Sequence, residues 1–183
     1  RVSHNTSHLI LRALDVGAQG VHVPDIGDAE SARAMVASVK YSPEGHRGLG
    51  GVRAAKYGLQ DSLAEYAATA NQETMVIAHI EHVKAIEKLD ELLIIEGIDV
   101  YFVGPTDLSN SLGIPGQTKD PKVVNLVEDA IKRIAAAGKT PGCIAADSEK
   151  ARHYIDLGAR YMATHAVKLM ATGCQQFIKE VLL

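Results

Sequence analysis

Apolar and polar positions follow two different rhythms along this chain. Val123, Leu126, Val127, Ala130, Ile131 and Ile134 fall at i, i+3, i+4, i+7, i+8 and i+11, one face of a helix. Asp120 stands where it can cap that helix, with Pro121 in the first helical position. Asp147 is placed to cap a second helix that buries Ala151, Tyr154 and Ile155. Asp28 is placed to start a third, with Ala32, Met35, Val36 and Val39 inward. Between such helices lie short apolar runs at roughly 20–24, 75–81, 100–104, 140–144 and 161–165, with a stub at 1–3. Nearly continuous apolar runs suit a parallel sheet covered by helices.

One joint between these elements recurs. An amphipathic stretch ends in glycine and a β-rich apolar run follows, as in Leu14-Asp15-Val16-Gly17 then Gly20-Val21-His22-Val23. The same order appears at Gly97 before Val100-Tyr101-Phe102-Val103, at Gly158 before Tyr161-Met162-Ala163, and more loosely at Gly138 before Pro141. Glycine just past a helix end accepts the left-handed backbone that stops the helix. Several such joints in series mean alternating βα units. Counting the stub, six strands are expected. A closed barrel of this type has eight and typically about 250 residues. Part of a barrel and an open doubly wound sheet both fit. No G-x-G-x-x-G follows a strand, which disfavours dinucleotide binding.

Composition narrows the function. With 46% apolar and 22% charged residues, the 183-residue chain is long enough for one domain with a sizeable core. A net charge of −3 carries no electrostatic footprint for nucleic acid or an anionic membrane. Of the eight histidines only His4 and His8 stand at H-x₃-H spacing, without the glutamate of H-E-x-x-H and not as a pair on one helix, so a zinc protease is unsupported. No apolar run reaches a membrane span, and no segment has the form of a signal peptide. The two distant cysteines, Cys143 and Cys174, argue against a disulfide framework and fit a reducing cytoplasm. Cys143 reads as a small buried hydrophobe.

The candidate chemistry lies at strand ends. Glu81 ends the run Met75–Glu81, and Asp107 follows the next run in Gly104-Pro105-Thr106-Asp107-Leu108-Ser109. Carboxylates on the same rim of adjacent strands can converge, and converging carboxylates repel unless a cation or proton lies between them. A hard cation such as Mg²⁺ or Mn²⁺ suits one or two carboxylates, with water and substrate oxygens completing its shell. The competing reading makes Glu81 a loop-facing carboxylate and Asp107 part of a helix cap. The glycine-rich segment 41–58, with Arg47, Arg53 and Lys56, reads equally as a cradle for an anionic substrate end and as a surface connection.

Ile80-Glu81 together with Gly104-Pro105-Thr106-Asp107-Leu108-Ser109 resembles the paired signature of the HpcH/HpaI family of class II pyruvate aldolases. Leu14–Gly20 followed by Val23-Pro24, the loop Tyr41-Ser42-Pro43-Glu44-Gly45-His46-Arg47-Gly48, and Ala136-Ala137-Gly138-Lys139 resemble further segments of that family in the same order. The resemblance implies a (β/α)₈ TIM barrel, with this chain covering about strands three to eight as a single partial domain over 1–183. It implies Glu81 and Asp107 as ligands of a divalent metal (Mg²⁺ or Mn²⁺, with Co²⁺ as a further option). It places Arg1 in the catalytic machinery, gripping the pyruvyl carboxylate, which an arginine fork can bind bidentately. Thr106 and Asp107 would add backbone N–H contacts to that carboxylate, and His79 would line the substrate site where many members have glutamine. Val167 stands where the family often has aspartate. The family's catalytic histidine belongs to an Asp-x-Glu-His segment on the second strand, which would lie upstream of Arg1; His4 and His22 do not match its context.

The implied activity is cleavage of a 4-hydroxy-2-oxo acid to pyruvate and an aldehyde, as for substrates of the 4-hydroxy-2-oxoheptanedioate or 2-dehydro-3-deoxyglucarate type. The metal would act as a Lewis acid on the developing enolate. A homo-oligomeric, cytoplasmic enzyme is expected, with a small 2-oxo acid as its partner and neither nucleic acid nor membrane. The alternatives are another metal–enolate lyase or synthase, such as an acyl-CoA lyase, and a non-catalytic assembly subunit. A Schiff-base aldolase would need a lysine at the site. The five longer runs contain none, Lys139 flanks the wrong end of its strand, and Lys168 is the remaining candidate.

Overall fold

The computed structural model describes residues 1–182. In chain order, α1 (Ser7–Asp15) leads to β1 (Gly20–Val23) and α2 (Ala29–Val39). A long connection containing a 3₁₀ turn (Arg53–Gly58) reaches α3 (Leu63–Glu73) and β2 (Met75–Ile80). Two short helices, α4 (Val83–Glu87) and α5 (Leu89–Leu93), precede β3 (Val100–Val103). Then come α6 (Pro105–Ser111), α7 (Pro121–Ala136), β4 (Pro141–Ile144), α8 (Ser148–Asp156), β5 (Tyr161–Ala163) and α9 (Ala166–Leu182).

All strand pairings are parallel, in the order β1-β2-β3-β4-β5, so each strand lies beside the next one in the chain. The sheet curls as part of a barrel and has two faces of different character. Val21, Val23, Val76, Ala78, Ile80, Tyr101, Val103 and Cys143 point to the helices and join the main core. Every second residue points to the concave side, where Ile77, Val100 and Phe102 pack with Ile144, Tyr161 and Ala163. On the helical side, Ile10, Leu14, Met35, Leu89, Leu92, Leu108, Ile131 and Ile134 are essentially inaccessible. Burying a side chain of this size stabilises by about 1.5–3 kcal/mol.

The helix starts follow local chemistry. Asp28 accepts from the Ser31 N–H and forms a capping box, while Asp120 and Asp147 accept from the backbone of Lys122 and Lys150. Gly17 and Gly158, which follow α1 and α8, take φ of 106° and 114°, the left-handed backbone that stops a helix.

Three expectations need correction. The stub at 1–3 is not a strand: the Val2 N–H donates to the His22 carbonyl at 3.0 Å, but no ladder follows, so the sheet has five strands among the described residues. In α8 only Tyr154 is buried, Ala151 packs against the core in part, and Ile155 is 45% exposed. Val36 is likewise only partly buried at the edge of the core. No helix among the described residues is long and apolar enough to cross a membrane.

Candidate metal centre

Glu81 is the first residue past β2, and Asp107 lies in the first turn of α6, directly after β3. Since β2 and β3 are neighbours with Ile80 opposite Val103, both carboxylates emerge on the same C-terminal rim. Two further bonds hold that rim. The Gly104 N–H donates to the Ile80 carbonyl at 3.1 Å, and the Val83 N–H donates to Ser111 Oγ at 3.1 Å. Gly104 also makes room: a Cβ there would stand 2.9 Å from Glu81 Cβ and 3.0 Å from its Oε2.

Arg1 reaches this rim beside β1. Its Nη2 lies 3.7 Å from Glu81 Oε1 and 4.0 Å from Asp107 Oδ2. One cationic atom thus faces an oxygen of each carboxylate. The three side chains line a cleft of about 450 Å³ that also includes Asp25, His82 and Lys84. The Glu81 side chain is 12% exposed and that of Asp107 57%. Burial by itself raises the Glu81 pKa, but the hydrogen bond from His79, with the positive charge of Arg1, outweighs it and holds the carboxyl below its ordinary value.

This donor set fits a hard divalent cation. Two carboxylate oxygens converge on a position where a guanidinium nitrogen already stands, and the glycine cradle leaves Glu81 space to hold its orientation. Among the described residues no cluster of three or more His, Cys, Asp or Glu side chains could form a closed metal cage. Two carboxylates with open positions between them are a donor set of the kind that leaves room for water and substrate oxygens, unlike a closed structural zinc site.

Behind Glu81 lies a row of polar side chains, buried at His79 and partly buried at His22 and Tyr161. His79, on β2, is 5% exposed. Its Nδ1 is 2.8 Å from Glu81 Oε2, and its Nε2 is 2.9 Å from Nδ1 of His22 on β1. His22 Nε2 is in turn 2.9 Å from the hydroxyl of Tyr161 on β5. Phe102 packs among the rings, stacked on His79 at 5.0 Å and edge-on to His22 at 5.2 Å. Burial, then the His79 ring and the positive charge at Arg1, lowers the His22 pKa from 6.5 to about 4.

The structure therefore gathers Arg1, Glu81 and Asp107 in one cleft. Thr106 lines a second cleft of about 200 Å³ with Lys119, Lys150, His165 and Lys168, on the other side of the 105–107 segment. His79 lies beneath the cleft with both ring nitrogens engaged. The segment 41–58 is not at this rim. Arg47 pairs with Asp15 at the end of α1 at 2.9 Å and lies over the Tyr41 ring, while Asn71 near the end of α3 holds the Tyr41 backbone. These contacts anchor the segment where helices feed strands, opposite Glu81. From sequence, His22 is weighed only as the family's catalytic histidine and set aside, and neither Tyr161 nor Asp25 is singled out as a site residue. A histidine in the middle of the apolar run Gly20–Val23 was the available signal.

Fold and site together define an α/β protein with a carboxylate pair on the C-terminal rim of a curled parallel sheet. Residues 1–170 match the family described as HpcH/HpaI aldolase/citrate lyase, and the chain belongs to that family. It is 38% identical over 174 residues to a 2-keto-3-deoxy-L-rhamnonate aldolase of Salmonella gallinarum, covering 94% of this chain and 64% of the relative. It is 40% identical over 159 residues to a hydroxypyruvate/pyruvate aldolase of Deinococcus radiodurans, covering 86% of this chain and 56% of the relative. The chain thus spans less than two thirds of the length of these relatives. Among solved structures it resembles an HpcH/HpaI aldolase/citrate lyase family protein from Burkholderia cenocepacia, with a TM-score of 0.93 and 31% identity, over all of this chain and 72% of that one.

Proposed function

We propose that this chain carries the metal- and substrate-binding part of an aldolase that cleaves 4-hydroxy-2-oxo acids to pyruvate and an aldehyde. In this reading it is a single partial-barrel domain supplying about strands three to eight of a (β/α)₈ barrel. The observation that carries the proposal is the convergence of Glu81 and Asp107 on the guanidinium of Arg1. The names of the aldolase relatives agree with it.

Glu81 and Asp107 would hold Mg²⁺ or Mn²⁺, which when bound supplies Lewis-acid stabilisation of the negative charge developing on the ketone oxygen as the C3–C4 bond breaks. Arg1, half exposed and held only by ion pairs of 3.7 and 4.0 Å, is free to turn its fork to the substrate carboxylate. The backbone N–H groups of Thr106 and Asp107, in the first turn of α6, orient the same carboxylate. Ile26 and Gly27 line the same cleft as Arg1. The proton of the 4-hydroxyl goes to a base outside these residues.

We also place the protein in a homo-oligomer. α9 buries no side chain against the rest of the described chain and presents Val167, Met170, Phe177, Ile178 and Val181 to the outside. Unpaired Cys143 and Cys174 fit a reducing cytoplasm.

The test is turnover of 4-hydroxy-2-oxo acids by the full-length protein with excess EDTA, then with Mn²⁺ restored. Loss and recovery of pyruvate release are expected. Full activity in EDTA, with borohydride inactivation mapping to Lys168, would replace the metal reading by a Schiff base. Metal-dependent cleavage of an acyl-CoA alone would keep the metal site and change the substrate class.

A further inference from the structure

We infer that His22 and Tyr161 are positioning residues for Glu81, acting through His79 as a hydrogen-bond chain of fixed direction that selects which carboxylate oxygen faces the cleft. The inference rests on the reading of Glu81 as a metal ligand.

The direction follows from donor and acceptor chemistry. An ionised carboxylate can only accept, so His79 Nδ1, 2.8 Å from Glu81 Oε2, carries a hydrogen. In a neutral ring the other nitrogen is then bare. With His79 neutral, its Nε2 accepts at 2.9 Å, which places the hydrogen of His22 on its Nδ1. His22 Nε2 is bare in consequence and accepts from the Tyr161 hydroxyl at 2.9 Å. Every donor meets an acceptor in this arrangement with both rings neutral. Phe102, stacked on His79 with an interplanar angle of 29° and edge-on to His22, keeps both ring planes from turning.

The consequence reaches the metal centre. Oε2 of Glu81 is taken by His79, leaving Oε1 as the oxygen that faces Arg1 at 3.7 Å. Glu81 is thereby set up as a monodentate ligand through Oε1. Losing an outer partner of a ligand typically costs about 10- to 100-fold in metal affinity. Tyr161 and His22 are separated by 139 positions in the chain and lie on the two edge strands, so this support spans the whole concave face.

The experiment uses the full-length protein, with Mn²⁺ affinity read by electron paramagnetic resonance and histidine tautomers read from ¹⁵N shifts of the imidazoles. Both His22 and His79 should carry hydrogen on Nδ1. His79→Leu should weaken Mn²⁺ binding about tenfold or more, Tyr161→Phe by a smaller factor, and His79→Gln should restore most of the loss because its amide can donate to Glu81. In the His79→Leu background, Tyr161→Phe should have no further effect on Mn²⁺ affinity, since the chain is already cut. A purely structural role would leave the two effects additive. A hydrogen on Nε2 of either ring, or unchanged Mn²⁺ affinity in both His79→Leu and Tyr161→Phe while Glu81→Gln abolishes binding, would overturn the chain alone. Unchanged Mn²⁺ binding in Glu81→Gln would overturn the ligand reading and the chain with it.

Discussion

Gly104 lies so close to Glu81 that a single methyl group on residue 104 would fall 2.9 Å from Glu81 Cβ and 3.0 Å from its Oε2. The backbone at Gly104 has φ of −102°, which any residue can adopt, so alanine there is opposed by its neighbour and not by its own backbone. Gly104→Ala should fold and should displace the Glu81 carboxylate. Mn²⁺ titration is expected to show weaker binding, with a melting temperature close to that of the parent. Unchanged affinity would mean that Glu81 can move away at no cost to the site.

Arg1→Lys separates charge from shape. The ammonium keeps the positive charge but loses the planar fork, and one charge-assisted hydrogen bond contributes about 1.5–3 kcal/mol. The expected result is a fall of about tenfold or more in kcat/KM for the 2-oxo acid, with Mn²⁺ affinity little changed. An equal loss of metal binding would instead make Arg1 part of the metal site's own structure.

Acid should destabilise the fold through His22. The folded-state pKa of about 4 lies below the ordinary 6.5, so between these values only the unfolded chain takes up the proton. The stabilising contribution is therefore fully present above about pH 6.5 and is lost as pH falls toward about 4. His79, Tyr161, Phe102 and Arg1 surround this ring, and each is retained in a His22→Gln variant. Urea midpoints measured from about pH 7 down to about pH 4 should fall less steeply in that variant than in the parent. Parallel curves would place the acid sensitivity elsewhere.

The apolar stripe of α7 gives a stability test independent of the site. Ile131 is fully buried, whereas Leu126 is only partly so. Ile131→Ala should cost about 2–5 kcal/mol through lost transfer energy and the cavity left behind, and Leu126→Ala clearly less. Denaturant midpoints at unchanged m-value provide the measurement.

What was legible in the sequence was local. The caps at Asp28, Asp120 and Asp147 depend on bonds two or three residues away, and each formed as the pattern indicates. The five longer apolar runs became strands because helices cover one face of each and aromatic or aliphatic neighbours cover the other. The Glu81 and Asp107 pair was legible because a residue just past a parallel strand has only one rim to occupy. The stub at 1–3 failed as a strand since one bond from Val2 to His22 is too little to make a ladder. The hydrogen-bond chain from Tyr161 to Glu81 was out of reach because its links join positions 57 and 139 residues apart. Parity alone marked it: His22 and His79 occupy concave-side positions of β1 and β2, where aliphatic residues would otherwise pack. Composition left the segment 41–58 open between an anion cradle and a surface connection, and contacts such as Arg47 with Asp15 on the far rim favour the connection.

The order β1-β2-β3-β4-β5 also bears on how the protein is made. Each strand emerging from the ribosome finds its partner already in place immediately before it, so the sheet can grow by one βα unit at a time without waiting for a distant segment. Tyr161 stands on the last of these strands. The hydrophobic layers can condense while synthesis is still under way, but the polar row that ends at Glu81 closes only once β5 has docked. Nascent chains halted before β5 would hold the two carboxylates on the rim with their support unfinished, and a gain in cation affinity would mark arrival of β5.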